Sequence, residues 1–141
     1  MYTTLLSIHS IVRWLILITF IYTFIRALYG WILKKEFNKS DKIALTATAS
    51  LAHLQLLLGI WLYFVSPIAH FFIHNFKFAI KLKEYRFFGM EHALIMLIAI
   101  VLITIGSSIA KRKNVDTIKF KTIVIWYGIG LILILSAIPY H

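Results

Sequence analysis

The sequence predicts an all-α integral membrane protein, an up-and-down four-helix bundle. Three observations carry that expectation. Of 141 residues, 61% are hydrophobic and 14% charged, whereas a soluble domain has about a quarter charged. Four stretches approach the roughly 20 apolar residues that a bilayer crossing needs. The connections 34–43 and 110–121 are short, which makes their flanking helices antiparallel neighbours. The length allows a single domain over 1–141.

The first hydrophobic stretch covers about 4–33. It has no basic region before it, Arg13 interrupts it and no small-residue cleavage pattern follows, so it reads as a retained helix rather than a cleaved signal. The second covers about 44–66 and stops before Pro67, and the fourth covers about 122–138 and stops before Pro139. Proline suits both helix ends. The third covers about 87–109. Between the second and third, the segment 70–83 mixes Phe and Ile with Lys, a pattern for chain lying along a membrane surface.

The net charge of +10 is concentrated in the connections. Only Arg13 and Arg26, of fifteen Lys and Arg residues, fall in a hydrophobic stretch. Aromatic residues gather at the stretch ends, as in an interfacial belt, so anionic lipid head groups are the expected counter-charge. This distribution speaks against nucleic acid. Lys34, Lys35, Lys39, Lys42, Lys111, Arg112, Lys113, Lys119 and Lys121 lie on one side. Lys77, Lys81, Lys83 and Arg86 lie on the other, and nine against four puts both termini outside. The chain has no cysteine, which excludes a disulfide framework, a thiolate metal site and a covalently attached c-type haem.

Polar residues inside the hydrocarbon are costly and by default mark a function or a specific partner. They are His9, Arg13, Arg26, His53, Gln55, Glu91 and His92. At 1.5 Å per residue, His9 lies roughly 6 Å below the outer boundary. His92 enters the third helix from the same side at similar depth. In an up-and-down bundle the first and third helices are diagonal, and inward side chains on them meet across the core. Two histidines so placed meet the demand of bis-imidazole haem ligation. The expected cofactor is therefore haem b, one copy and at most two, with His9 and His92 on the iron.

His92, Met96, Ala99, Ile103 and Gly106 share one face of the third helix, with Gly89 on the same line. Small residues there leave room for a macrocycle or for a close neighbouring helix. Arg13 shares the face of His9, with a haem propionate or Glu91 as its partner; an Arg–Glu pair that merely satisfies two buried charges fits as well. Arg26, near Tyr29 and Trp31, is expected to snorkel to the surface with no special role.

His53 has apolar neighbours on its face, Leu56, Leu57 and Ile60, and Gln55 points roughly the opposite way. It is the alternative ligand, opposite His92 or on a second haem. The fourth helix offers no intramembrane histidine to complete a second pair. His70 and His74, at i and i+4, could present two nitrogens to zinc or copper, with His141 or Glu91 completing the set. Their plainer reading is as solvated interfacial histidines.

The run His9-Ser10-Ile11-Val12-Arg13-Trp14, the pair His53 and Gln55 followed by Gly59, and Arg86 with Glu91 and His92 resemble the small four-helix membrane proteins labelled cytochrome b. The run from Gln55 to Gly59 is also similar to a helix of haem A synthase. The resemblance implies b-type haem held by helix histidines, with His9, His53 and His92 as candidates, and a redox role. The resulting expectation is an electron carrier between a quinol or quinone and a redox partner protein, in a bacterial-type inner (cytoplasmic) membrane. Two rivals stand beside it. One is a non-catalytic subunit or assembly factor of a larger membrane complex or homo-oligomer, its His and Arg bonding across subunits. The other is a small transporter relaying protons through the membrane histidines and Glu91. Nothing marks a hydrolase: there is no nucleophile elbow, phosphate loop or paired intramembrane carboxylate.

Overall fold

The computed structural model describes residues 2–138, and these are helical almost throughout. Four helices are long and apolar enough to cross a membrane: α1 (Tyr2–Ile32), α2 (Lys39–Val65), α6 (His92–Arg112) and α7 (Asp116–Ser136). The chain is a multi-pass membrane protein. Between α2 and α6 lie the short helices α3 (Pro67–His74), α4 (Phe76–Ala79) and α5 (Lys83–Arg86). A π-turn, Phe87–Glu91, joins α5 to α6 without a break. Pro139 and His141 lie outside the described residues.

The helices next to the basic connections begin earlier than hydropathy suggests. The Asp41 carboxylate accepts from the Asn38 backbone N–H at 2.8 Å, which closes the first turn of α2 at Lys39 rather than near 44. Asp116 likewise sits in the first turn of α7, where the helix dipole favours a carboxylate. The connections shrink to 33–38 and 113–115. In the first, Lys34 takes the left-handed conformation (φ 54°) and the Lys35 N–H reaches back to the Gly30 carbonyl at 3.0 Å. After α2, Ser66 accepts from the Ala69 N–H at 3.4 Å and Pro67 opens α3.

Around the bundle, α1 packs on α2 and α7, and α6 packs on the same two, so α1 and α6 are diagonal. The half near the two short connections is the dense one. Fully buried Phe20 and Tyr127 meet with ring centroids 5.3 Å apart, and the Tyr127 hydroxyl crosses to the Leu45 carbonyl of α2 at 3.1 Å. Thr23 and Thr48 hydrogen-bond at 3.0 Å between α1 and α2. Arg26 is not a free snorkelling cation: it holds buried Asp41 through two bonds, at 2.7 and 3.1 Å. Hydropathy gives no sign of that role, because Asp41 lies outside the second hydrophobic stretch.

Glycine lets α6 and α7 approach. A Cβ on Gly106 would collide with the Trp126 Cβ, an atom fixed to the α7 backbone. Gly106→Ala is therefore expected to force the two helices apart and to cost about 1–3 kcal/mol, despite alanine's better helix propensity. Thermal denaturation in detergent measures it; an unchanged midpoint would contradict this packing.

Candidate functional site

The other half of the bundle, near the N-terminus of α1 and the C-terminus of α7, is built differently. Positions that would be apolar core carry His9, Gln55, Gly59 and His92, all half-buried. His9 is seven positions from Tyr2 and Gly59 six positions from Val65, so both lie roughly 10 Å inside the helix ends. The His9 ring stacks where α2 has no side chain: its Cε1 is 3.6 Å from where a Gly59 Cβ would stand. Gln55, one turn before Gly59 on α2, donates from Nε2 to the His9 backbone carbonyl at 2.8 Å. Among the described residues, His9 Nδ1 and Gln55 Oε1 are buried there without a hydrogen-bond partner.

His92 enters from the diagonal helix. Its Nδ1 lies 2.8 Å from the Ala137 carbonyl, just past the end of α7. A carbonyl can only accept, so Nδ1 carries the proton and Nε2 keeps its lone pair. Metal-bound histidines are held in this way, with one ring nitrogen donating to a carbonyl and the other left to ligate. Arg13 stands one turn after His9 on α1. The structure thus brings His9, His92 and Arg13 to one end of the bundle, as their spacing suggested. Ala99, Ile103 and Gly106 are buried and Met96 half-buried, as expected of one inward face of α6.

Glu91 does not pair with Arg13. It accepts from Arg86 Nε at 2.7 Å. Residues five apart lie on divergent faces of an α-helix, but the wider π-turn, with its i→i+5 bonding, stacks them. Arg13 is left with the Ser10 hydroxyl at 3.2 Å and the Trp14 ring at 5.2 Å, and among the described residues it meets no carboxylate.

His53 is elsewhere. It lies on the outer flank between α2 and α6, exposed, with Nε2 2.7 Å from the Thr104 hydroxyl. Gln55 points inward, so the two residues serve different surfaces, as the sequence suggested. His70 and His74 stack on an exposed face of α3 with ring centroids 4.2 Å apart. Glu91 is taken by Arg86 and His141 lies outside the described residues. Among the described residues no group of three or more His, Asp or Glu side chains is gathered to hold a bare metal ion. The Gln55–His9 contact was missed, although Gln55 and Gly59 stand one turn apart. The Ala137 carbonyl carries no sequence signal at all.

Compared with protein-family models, with curated proteins and with solved structures, the chain matches none of them.

Proposed function

We propose that this membrane protein is a b-type cytochrome, with haem held between His92 and His9 near the terminal end of the bundle. The observation that carries the reading is the His92–Ala137 hydrogen bond, which fixes the tautomer that leaves Nε2 free to ligate. His9 supports it from the diagonal helix, its half-buried ring set against Gly59 at the same end of the bundle. Arg13, which meets no carboxylate among the described residues, suits a propionate. Bound haem supplies one-electron chemistry. The chain's part is to fix the His92 ring, to exclude water with the aliphatic walls of α1 and α6, and to set the charge around the iron through Arg13. His53 is left out of the ligand pair because it sits on the lipid-facing flank.

In this reading the electron partner is a membrane-dissolved quinone or a neighbouring redox protein. The membrane is a bacterial-type inner membrane, with both termini outside by the loop charges. The test is the visible spectrum of the chain purified in mild detergent after expression with haem supplied. A sharp Soret band that shifts on dithionite reduction, with resolved α and β bands, is the expected result. A featureless spectrum would remove the reading. It would favour a non-catalytic subunit, in which a partner helix completes His9 and Gln55.

A further inference from the structure

The geometry points to a homodimer through the outer face of α2, in which Ser50 of each copy donates a hydrogen bond to His53 of the other. Thr104 gives its hydroxyl hydrogen to the Ile100 carbonyl at 2.7 Å, so toward His53 it can only accept. His53 therefore donates from Nε2, and Nδ1 carries the bare lone pair. The side chain is exposed at the level of the hydrocarbon, where no water can satisfy that acceptor. An ionisable residue facing lipid with half its polarity unmet calls for a donor from outside the monomer.

The donor is on the same face. Ser50, one turn before His53, is exposed, and its hydroxyl has no hydrogen-bond partner among the described residues. Donor and acceptor thus stand side by side on one helix. A two-fold axis along the membrane normal sets Ser50 of one copy toward His53 of the next, and the reverse, so one surface completes itself twice. No second kind of chain is needed, which favours a second copy over a foreign helix.

The rest of the face fits a helix–helix seam. Ile43, Thr46, Ser50, His53, Leu57, Ile60 and Phe64 recur at alternating intervals of three and four, and all are exposed. That is the spacing of a left-handed helix pair. The small residues Thr46 and Ser50 allow close approach beside the polar pair. Lys39 and Lys42, where the seam meets the surface, can turn to water and lipid phosphate, so their mutual repulsion is screened.

Because the chain has no cysteine, single substitutions report without background. Leu57→Cys and Ile60→Cys on the seam are compared with Ile18→Cys on α1 and Ile132→Cys on α7, all four lipid-exposed. The full chain is oxidised with copper phenanthroline in vesicles at low protein-to-lipid ratio. Disulfide-linked dimer is expected at the seam positions and not at the controls. Adding His53→Leu to Leu57→Cys is expected to cut the dimer yield about tenfold, the effect of losing two interhelical bonds of typical strength in a bilayer. Ser50→Ala should act in the same direction. Unchanged helicity and thermal midpoint of His53→Leu show that the monomer still folds. Equal cross-linking at seam and control positions, linkage only to a chain of another size, or a yield indifferent to His53→Leu would each overturn the proposal.

Discussion

Replacing His92 by Ala is expected to abolish haem binding, while replacing His9 by Ala leaves a weaker, five-coordinate species. The asymmetry comes from how the two rings are held. His92 is oriented before any ligand arrives: the Ala137 carbonyl fixes its proton on Nδ1 and its ring plane with it. Loss of an orienting partner alone typically lowers affinity at such a centre by about 10–100-fold, and loss of the ligand itself goes beyond that. His9 has no such anchor on its ring, since Nδ1 lacks a partner and Gln55 reaches only its backbone carbonyl. Haem-to-protein ratio by pyridine haemochrome, with the spin state read from the Soret position, separates the two variants. His53→Leu should keep the wild-type ratio and spectrum, because His53 is bound to Thr104 on the outer flank. A haem lost with His53 and kept without His92 would reverse the ligand assignment.

The second large effect concerns stability. Asp41→Ala removes both bonds to Arg26 and the acceptor for the Asn38 N–H at once. Breaking one side of a buried ion pair costs about 3–5 kcal/mol, because the remaining charge stays desolvated. Arg26 keeps 23% of its side-chain surface exposed and a second bond to the Glu36 carbonyl at 3.3 Å, so the cost is expected near the lower limit. Thermal unfolding in detergent should show the loss in Asp41→Ala and in Arg26→Ala. Joint replacement by Arg26→Met and Asp41→Leu should recover most of it, since apolar residues of similar volume can stand in for a buried pair. A double variant no better than the singles would mean that the capping bond to Asn38 dominates.

Hydropathy and connection length were enough to read the number of membrane-length helices, the antiparallel order and the diagonal placement of His9 and His92. These follow from length and from apolar runs, both printed in the sequence. Helix starts were less legible. Lys39 to Lys42 are polar and Asp116 to Lys121 alternate charge with Ile118 and Phe120; capping by Asp41, the dipole at Asp116 and burial of Phe120 draw them into helices. The partner of Glu91 was not legible either. Five residues from Arg86, it should diverge on an α-helix, and a π-turn, for which the sequence has no plain signature, brings the two together. His53 showed the opposite difficulty. Its place as an alternative ligand requires an inward face, and its apolar neighbours do not decide that, because in a membrane the outward face is apolar too.

The most direct test of the haem assignment is the electron paramagnetic resonance spectrum of the oxidised, haem-supplied protein. Ligation by His92 and His9 predicts a low-spin ferric signal of the bis-imidazole type that disappears in both His92→Ala and His9→Ala. A protein without a haem signal, or a low-spin signal that survives both substitutions, would contradict it.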